Sequence, residues 1–130
     1  MKNSFGFGKQ VSTDFSSTIE SVTTALATEG FGVLSDIDVA ATLKKKLDED
    51  MPPYRILGAC NPKLAHQAVA AIPEIGLLLP CNVLVREDEV GVVHVSFMDP
   101  EAVLGMVDNE AVLPLAKVVR EKLGRVMDAL

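Results

Sequence analysis

A chain of 130 residues with 18 acidic and 12 basic side chains, a net charge of −6, has the length of one domain and the wrong sign for nucleic acid or anionic membrane. Hydrophobic residues make up 48% of it, yet aromatics only 5%, with no Trp, so the core has to be aliphatic. A mean hydropathy of +0.29 is high for a small soluble monomer and points to a second buried apolar face, hence an oligomer interface.

In chain order, residues 4–13 (SFGFGKQVST) form an expected strand with Phe5, Phe7 and Val11 on odd positions. Ser17 and Glu20 have capping-box spacing, in which hydroxyl and carboxylate satisfy free amides at a helix start. Ile19, Val22 and Leu26 give that helix its apolar stripe, and Gly30 supplies a left-handed stop. Residues 31–37 form a second strand, after which Asp36 or Asp38 caps a helix carrying Val39, Leu43 and Leu47 on one side. On that helix Lys44, Lys45 and Lys46 are followed at once by Asp48, Glu49 and Asp50, a solvated face and not a basic patch.

Met51-Pro52-Pro53 breaks the pattern before a third strand, Tyr54 to Ala59. Asn61 as N-cap with Pro62 at the first helical position starts the next helix, whose buried side is Ala65, Ala68, Val69 and Ile72. Residues 82–87 and 91–98 alternate about a turn near Asp88-Glu89, as a hairpin does. Asp99-Pro100-Glu101 opens a short helix, and Pro114 starts the last one, striped by Leu115, Val118, Val119, Leu123, Val126, Met127 and Leu130. The order β-α-β-α-β-α-β-β-α-α predicts a single α+β domain over residues 1–130, with about five strands and about five helices.

The hairpin separates its residues into two unlike faces. Val83, Val85, Val93, Val95 and Phe97 share one face and call for a cover of helices. The other receives Asn82, Leu84, Arg86, Val92, His94, Ser96 and Met98, too polar for a dry core and too apolar for open surface. That mixture fits a ligand cleft or a subunit contact, and Arg86 is the group best able to hold a carboxylate or phosphate there.

Two Cys-Asn pairs, Cys60-Asn61 and Cys81-Asn82, lie 21 residues apart, each next to a proline. Cys60 precedes a helix cap, where free amides and the helix dipole favour an anion, either its own thiolate or a bound phosphate or carboxylate. The plainer reading is a small hydrophobe ending a buried strand. Asn61 is a helix cap first and a candidate ligand contact second. Asn82, at the start of a strand, either pins a loop or meets a ligand. His66 sits near the polar edge of its helix and His94 on the mixed face, each a structural or a binding histidine.

Cys60, His66, Cys81 and His94 lack the close paired spacing of a zinc site, so no metal is expected. GFG near the start and GFGVL at 30–34 lack the spacing and the lysine of a phosphate loop. No cofactor is implied, and no reaction is assigned. Parallel third and fourth strands would hold Cys60 and Cys81 roughly 15–20 Å apart, at opposite ends of the sheet, whereas antiparallel strands let the two pairs converge.

The phrases GFGVLSDIDV (30–39), YRILGACNPKLAHQAV (54–69) and PEIGLLLPCNVLVRE (73–87), in this order and spacing, resemble the bacterial and archaeal domain-of-unknown-function family 302. The likeness runs from FGFGKQV through MDPEAVL to the last helix. It implies a compact α+β domain with a mainly antiparallel sheet and helices on one side, in the fold class of the TATA-binding protein, and it makes a homodimer plausible. It implies no activity, and the acidic charge opposes any transfer of DNA binding from the fold likeness.

No stretch approaches the roughly 18 apolar residues of a membrane span, and MKNSFGFGKQVSTD has no apolar core of the kind a secretory signal needs. The expectation is a cytoplasmic homodimeric module with reduced thiols, whose face around Asn82, Arg86, His94 and Ser96 binds a small ligand, an anion by its chemistry, or forms the dimer contact, with Cys60 and Cys81 near the edge of that face. The rival is a cysteine-dependent enzyme, or a redox or metal-binding protein, using Cys60 or Cys81.

Overall fold

In the computed structural model, which describes residues 1–130, the first strand is β1 (Gly6–Val11) and the first helix α1 (Phe15–Thr28). Asp14, not Ser17, caps α1: its carboxylate accepts the Ser17 amide at 2.8 Å. The Ser17–Glu20 spacing is real, but Asp14 reaches the same amides from one turn earlier, so Ser17 falls inside the first turn. Gly30 (φ 84°) ends the helix as expected, and the Phe31 amide returns to the Leu26 carbonyl at 3.0 Å.

Strand β2 (Gly32–Asp38) leads into α2 (Val39–Leu47), and of the two candidate caps it is Asp38 that accepts the Ala41 amide, at 2.9 Å. Asp36 instead pairs with Arg55. The expected stripe of α2 is not buried: no residue of this helix is, and Leu47 is 64% exposed. Next come β3 (Tyr54–Cys60) and α3 (Pro62–Ala71), the latter capped by Asn61, which accepts the Leu64 amide at 3.3 Å. Of its expected buried side only Ala68 is fully covered, and Val69 is 44% exposed.

A 3-10 helix over Pro73–Leu78, absent from the sequence reading, joins α3 to the hairpin β4 (Cys81–Glu87) and β5 (Val93–Met98). Asp99 caps α4 (Pro100–Leu104). The last helix, α5, spans Val112–Asp128 and starts before Pro114, because the Asn109 side chain accepts the Ala111 and Val112 amides at 2.8 and 3.2 Å. Pro114 then sits in the first turn, where its missing N–H costs nothing.

The five strands make one sheet in the order β1-β5-β4-β3-β2, with every neighbouring pair antiparallel. Val83, Val85, Val93, Val95 and Phe97 are all buried, so the covered face is the one the alternation predicts. Against it α1 and α5 supply Val22, Leu26, Leu123 and Val126. A smaller apolar cluster (Ala68, Ile75, Leu104, Val112, Ala116) joins α3, the 3-10 helix, α4 and α5. The fold is α+β with helices on one side, and the opposite sheet face carries no helix laid across it.

Candidate functional site

Antiparallel pairing of β3 with β4 places Ala59 opposite Cys81, so the two Cys-Asn pairs do converge at one end of the sheet. Convergence in space then separates them by face. Alternation sends Cys81 to the covered side with Val83 and Val85, and Asn82 to the open side with Leu84 and Arg86. All the candidate residues but His66 therefore fall into two cavities, not one.

The first is a groove of about 510 Å³ on the open face. Register brings together Gly6 with Met98, Gly8 with Ser96, Gln10 with His94, and Arg86 with His94. Glycines in β1 give the groove its floor. A Cβ on Gly8 would come within 2.8 Å of the Ser96 Cα and 2.9 Å of its Oγ, so a side chain there would force β1 off β5. Met1, Phe5 and Val103 form rim positions, and Asn82, Arg86, His94 and Ser96 line the walls.

The groove is set by one loop and one unpaired arginine. Asp88 in the hairpin turn accepts the Val90 and Val92 amides, each at 3.0 Å, through one oxygen, and its other oxygen meets His94 Nε2 at 2.8 Å. The bond to His94, then that to the Val92 amide, holds the Asp88 carboxyl below the usual carboxylate range. Arg86 has no such partner. Arg55 pairs with Asp36, Arg120 with Asp99 at 3.8 Å, and Arg125 with Glu29 at 2.9 Å, which leaves Arg86 as the one arginine of four without a carboxylate. Asn82, Gln10 and Ser96 likewise make no side-chain hydrogen bond within the protein.

The second cavity, of about 350 Å³, opens at the sheet end where β3 leaves and β4 enters. Both cysteines line it, with Asn61. Of its polar side chains, Ser35 is exposed, and Asn61 is already engaged, accepting the Leu64 amide and donating to the Glu29 carbonyl at 3.4 Å. Cys81 is buried, and burial first, then the neighbouring Cys60 sulfur, pushes its thiol up to about 11. That environment opposes a thiolate at neutral pH. Cys60 is half-buried and unbonded to Cys81.

His66 joins neither cavity. It lies on the exposed side of α3 with no hydrogen-bond partner. No three of the histidine, cysteine and carboxylate side chains gather into a group able to hold a metal ion. The sequence reading missed the second cavity as a space, although its cause is visible in the residue sizes: alanines 59, 65 and 68 stand where a packed core would carry Val or Leu. It also missed the groove's floor, for which GFG in β1 was the signal.

The sequence pattern of the family described as "Domain of unknown function DUF302" matches residues 7–130. Among solved structures, the crystal structure of an uncharacterized conserved protein DUF302 from Bacillus stearothermophilus superposes with a TM-score of 0.89. It is 30% identical in sequence, over 96% of this chain and 97% of that one. No curated protein matches the chain.

Proposed function

The chain belongs to the DUF302 family, whose description assigns no activity, and from its geometry we propose that it is a cytoplasmic homodimeric module that binds a small anionic ligand in the open-face groove. The observation that carries this reading is Arg86, half-buried and unpaired among Asn82, Gln10 and Ser96, whose polar side chains are equally free. A half-exposed guanidinium with no carboxylate partner keeps its forked donors available to a carboxylate or phosphate. His94, locked by Asp88, gives the same groove a fixed wall. The two free thiols and the lack of any helix long and apolar enough to cross a membrane fit a cytoplasmic place.

Thermal unfolding against increasing inorganic phosphate or succinate tests the groove. Binding to the folded state alone adds about 2.7 kcal/mol at a hundred times Kd. Arg86→Gln is expected to abolish the rise in Tm while leaving the unliganded Tm nearly unchanged. Equal stabilisation of Arg86→Gln and the parent, or none of the parent, would refute the reading.

The dimer is supported by the unequal edges of the sheet. The outer edge of β1 is occupied by the chain's own first residues, with the Gly8 amide donating to the Met1 carbonyl at 2.9 Å and Lys2 bridging to Phe7. The outer edge of β2 meets nothing, and Leu34 and Ile37 there are 72% and 50% exposed. Free edges of this kind invite strand pairing with a second copy. Light scattering is expected to give twice the 13.9 kDa chain mass, and Ile37→Lys to return a monomer with an unchanged circular dichroism spectrum. A parent that is monomeric at micromolar concentration removes this part of the proposal.

A further inference from the structure

We infer that the cavity at the end of the sheet is a second binding site, independent of the open-face groove, and that it takes an uncharged apolar molecule of about ten carbons. It lies between the two apolar clusters of the core: Phe31, Ala59 and Val119 belong to the larger one, Ala68 and Leu104 to the smaller. The α3 layer stands off from the sheet there because alanines face the gap. Native cores close such gaps, since each unfilled one forfeits dispersion contacts on every wall. A gap kept open between two well-packed clusters, and reached from solvent on one side, is the shape of a site and not of a packing fault.

Chemistry fixes the class of ligand. Twelve of the fifteen lining residues are hydrophobic, no Lys, Arg or His is among them, and the Asn61 side chain is committed to the helix cap and to Glu29. An ionised group placed inside would find no counter-charge and would lose its water. The anion proposed for the groove is thus excluded here, and an apolar body is favoured. Cavities of ~150 Å³ accept benzene when lined in this way. The volume of about 350 Å³ is more than twice that, room for a ten-carbon chain or a fused ring pair.

Cys60 provides an internal reporter. It lines the cavity and is half-buried, while Cys81 is covered. An occupant is expected to shield Cys60 from an alkylating reagent on the unmodified protein, with no substitution needed. The uncharged fluorophore N-phenylnaphthylamine is the probe: its emission should rise with the parent protein, be displaced by decanol, and be unmoved by inorganic phosphate. Ala68→Phe, which fills the gap, and the gentler Ala65→Leu should each raise its Kd by about tenfold or more, ~1.4 kcal/mol.

Circular dichroism identifies which of the two variants folds, and alkylation of the parent stands if neither does. Four results would overturn the inference: no emission change with the parent, full binding by a folded filled variant, displacement by phosphate, or unaltered Cys60 alkylation at saturating probe. Loss of probe binding as the protein dimerises would also overturn it, because the occupant would then be a second copy of the chain. Failure of the Arg86→Gln experiment leaves every one of these readouts untouched, so the two sites are tested separately.

Discussion

Replacing Phe97 with alanine is expected to lower the unfolding free energy by about 3–5 kcal/mol. Phe97 is 1% exposed near the C-terminal end of β5 and stacks on Phe7 with ring centroids 5.4 Å apart and planes 16° from parallel. Above Phe7 the Arg120 guanidinium sits 3.6 Å from the ring centroid, itself tied to Asp99. The substitution removes one ring of the stack and opens a hole that the flanking valines cannot fill, since they are held by the ladder on both sides. Against a typical total of about 5–15 kcal/mol, that is a large share. Urea unfolding followed by circular dichroism measures it, with Phe5→Ala as the comparison: Phe5 is 65% exposed, and its loss should fall within about 0.5 kcal/mol. A cost below about 1 kcal/mol for Phe97→Ala would mean that the stack does not anchor β5.

The consequence reaches the groove, because β5 carries His94, Ser96 and Met98 on the face away from Phe97. Strand alternation couples the two: whatever fixes Phe97 in the core fixes its neighbours in the groove wall. Arg86→Gln and Phe97→Ala should therefore differ in kind. The first removes anion binding at little cost in stability, whereas the second removes stability and anion binding together.

Alternation is also why the open face was legible in the sequence. A period of two in Val83, Val85, Val93, Val95 and Phe97 fixes which side is covered, and the leftover side lists Asn82, Arg86, His94 and Ser96 without any structure. Helix starts were legible where one side chain has no competitor, as at Asn61-Pro62, and were misassigned where two acceptors lie within a turn of the same amides, as with Asp14 and Ser17. The start of α5 depends on Asn109, whose reach to two amides outranks the proline signal at Pro114. The stripe of α2 has the right spacing but is only partly covered, with Val39 and Leu43 half-buried and Leu47 exposed, since helical periodicity states which residues share a side and not how completely anything covers it.

The pairing of the two Cys-Asn motifs was beyond periodicity altogether. Whether Cys60 and Cys81 meet depends on the relative direction of β3 and β4, a topological fact carried by no residue near either cysteine. Once the strands are antiparallel, the same alternation that unites the hairpin face divides the motif. Cys81 turns to the apolar cavity and Asn82 to the polar groove, so a repeated dipeptide that looks like one site contributes to two.

Cys81 is expected to give the protein an alkaline limit, and the sign follows from where the proton sits. Its thiol is pushed up to about 11 in the fold by burial and by the Cys60 sulfur, while the thiol of an unfolded chain ionises near ~8.5. Below that pH both states hold the proton, and Cys81 takes nothing from stability. As the pH climbs toward 11 the unfolded chain ionises and the folded one does not, so the unfolded state gains and stability falls. At about 1.4 kcal/mol per pKa unit the loss approaches about 3 kcal/mol above pH 11. Urea unfolding in steps from about pH 8 to about pH 11 should therefore give a steeper decline for the parent than for Cys81→Ala, and the difference between the curves isolates this one group. Parallel curves would place Cys81 in contact with water. A thiol so raised is ionised in roughly one molecule in ten thousand at neutral pH, too few for a nucleophile. Neutral-pH alkylation should accordingly mark Cys60 alone, which leaves Cys81 as part of the apolar wall and removes it from the list of reactive groups.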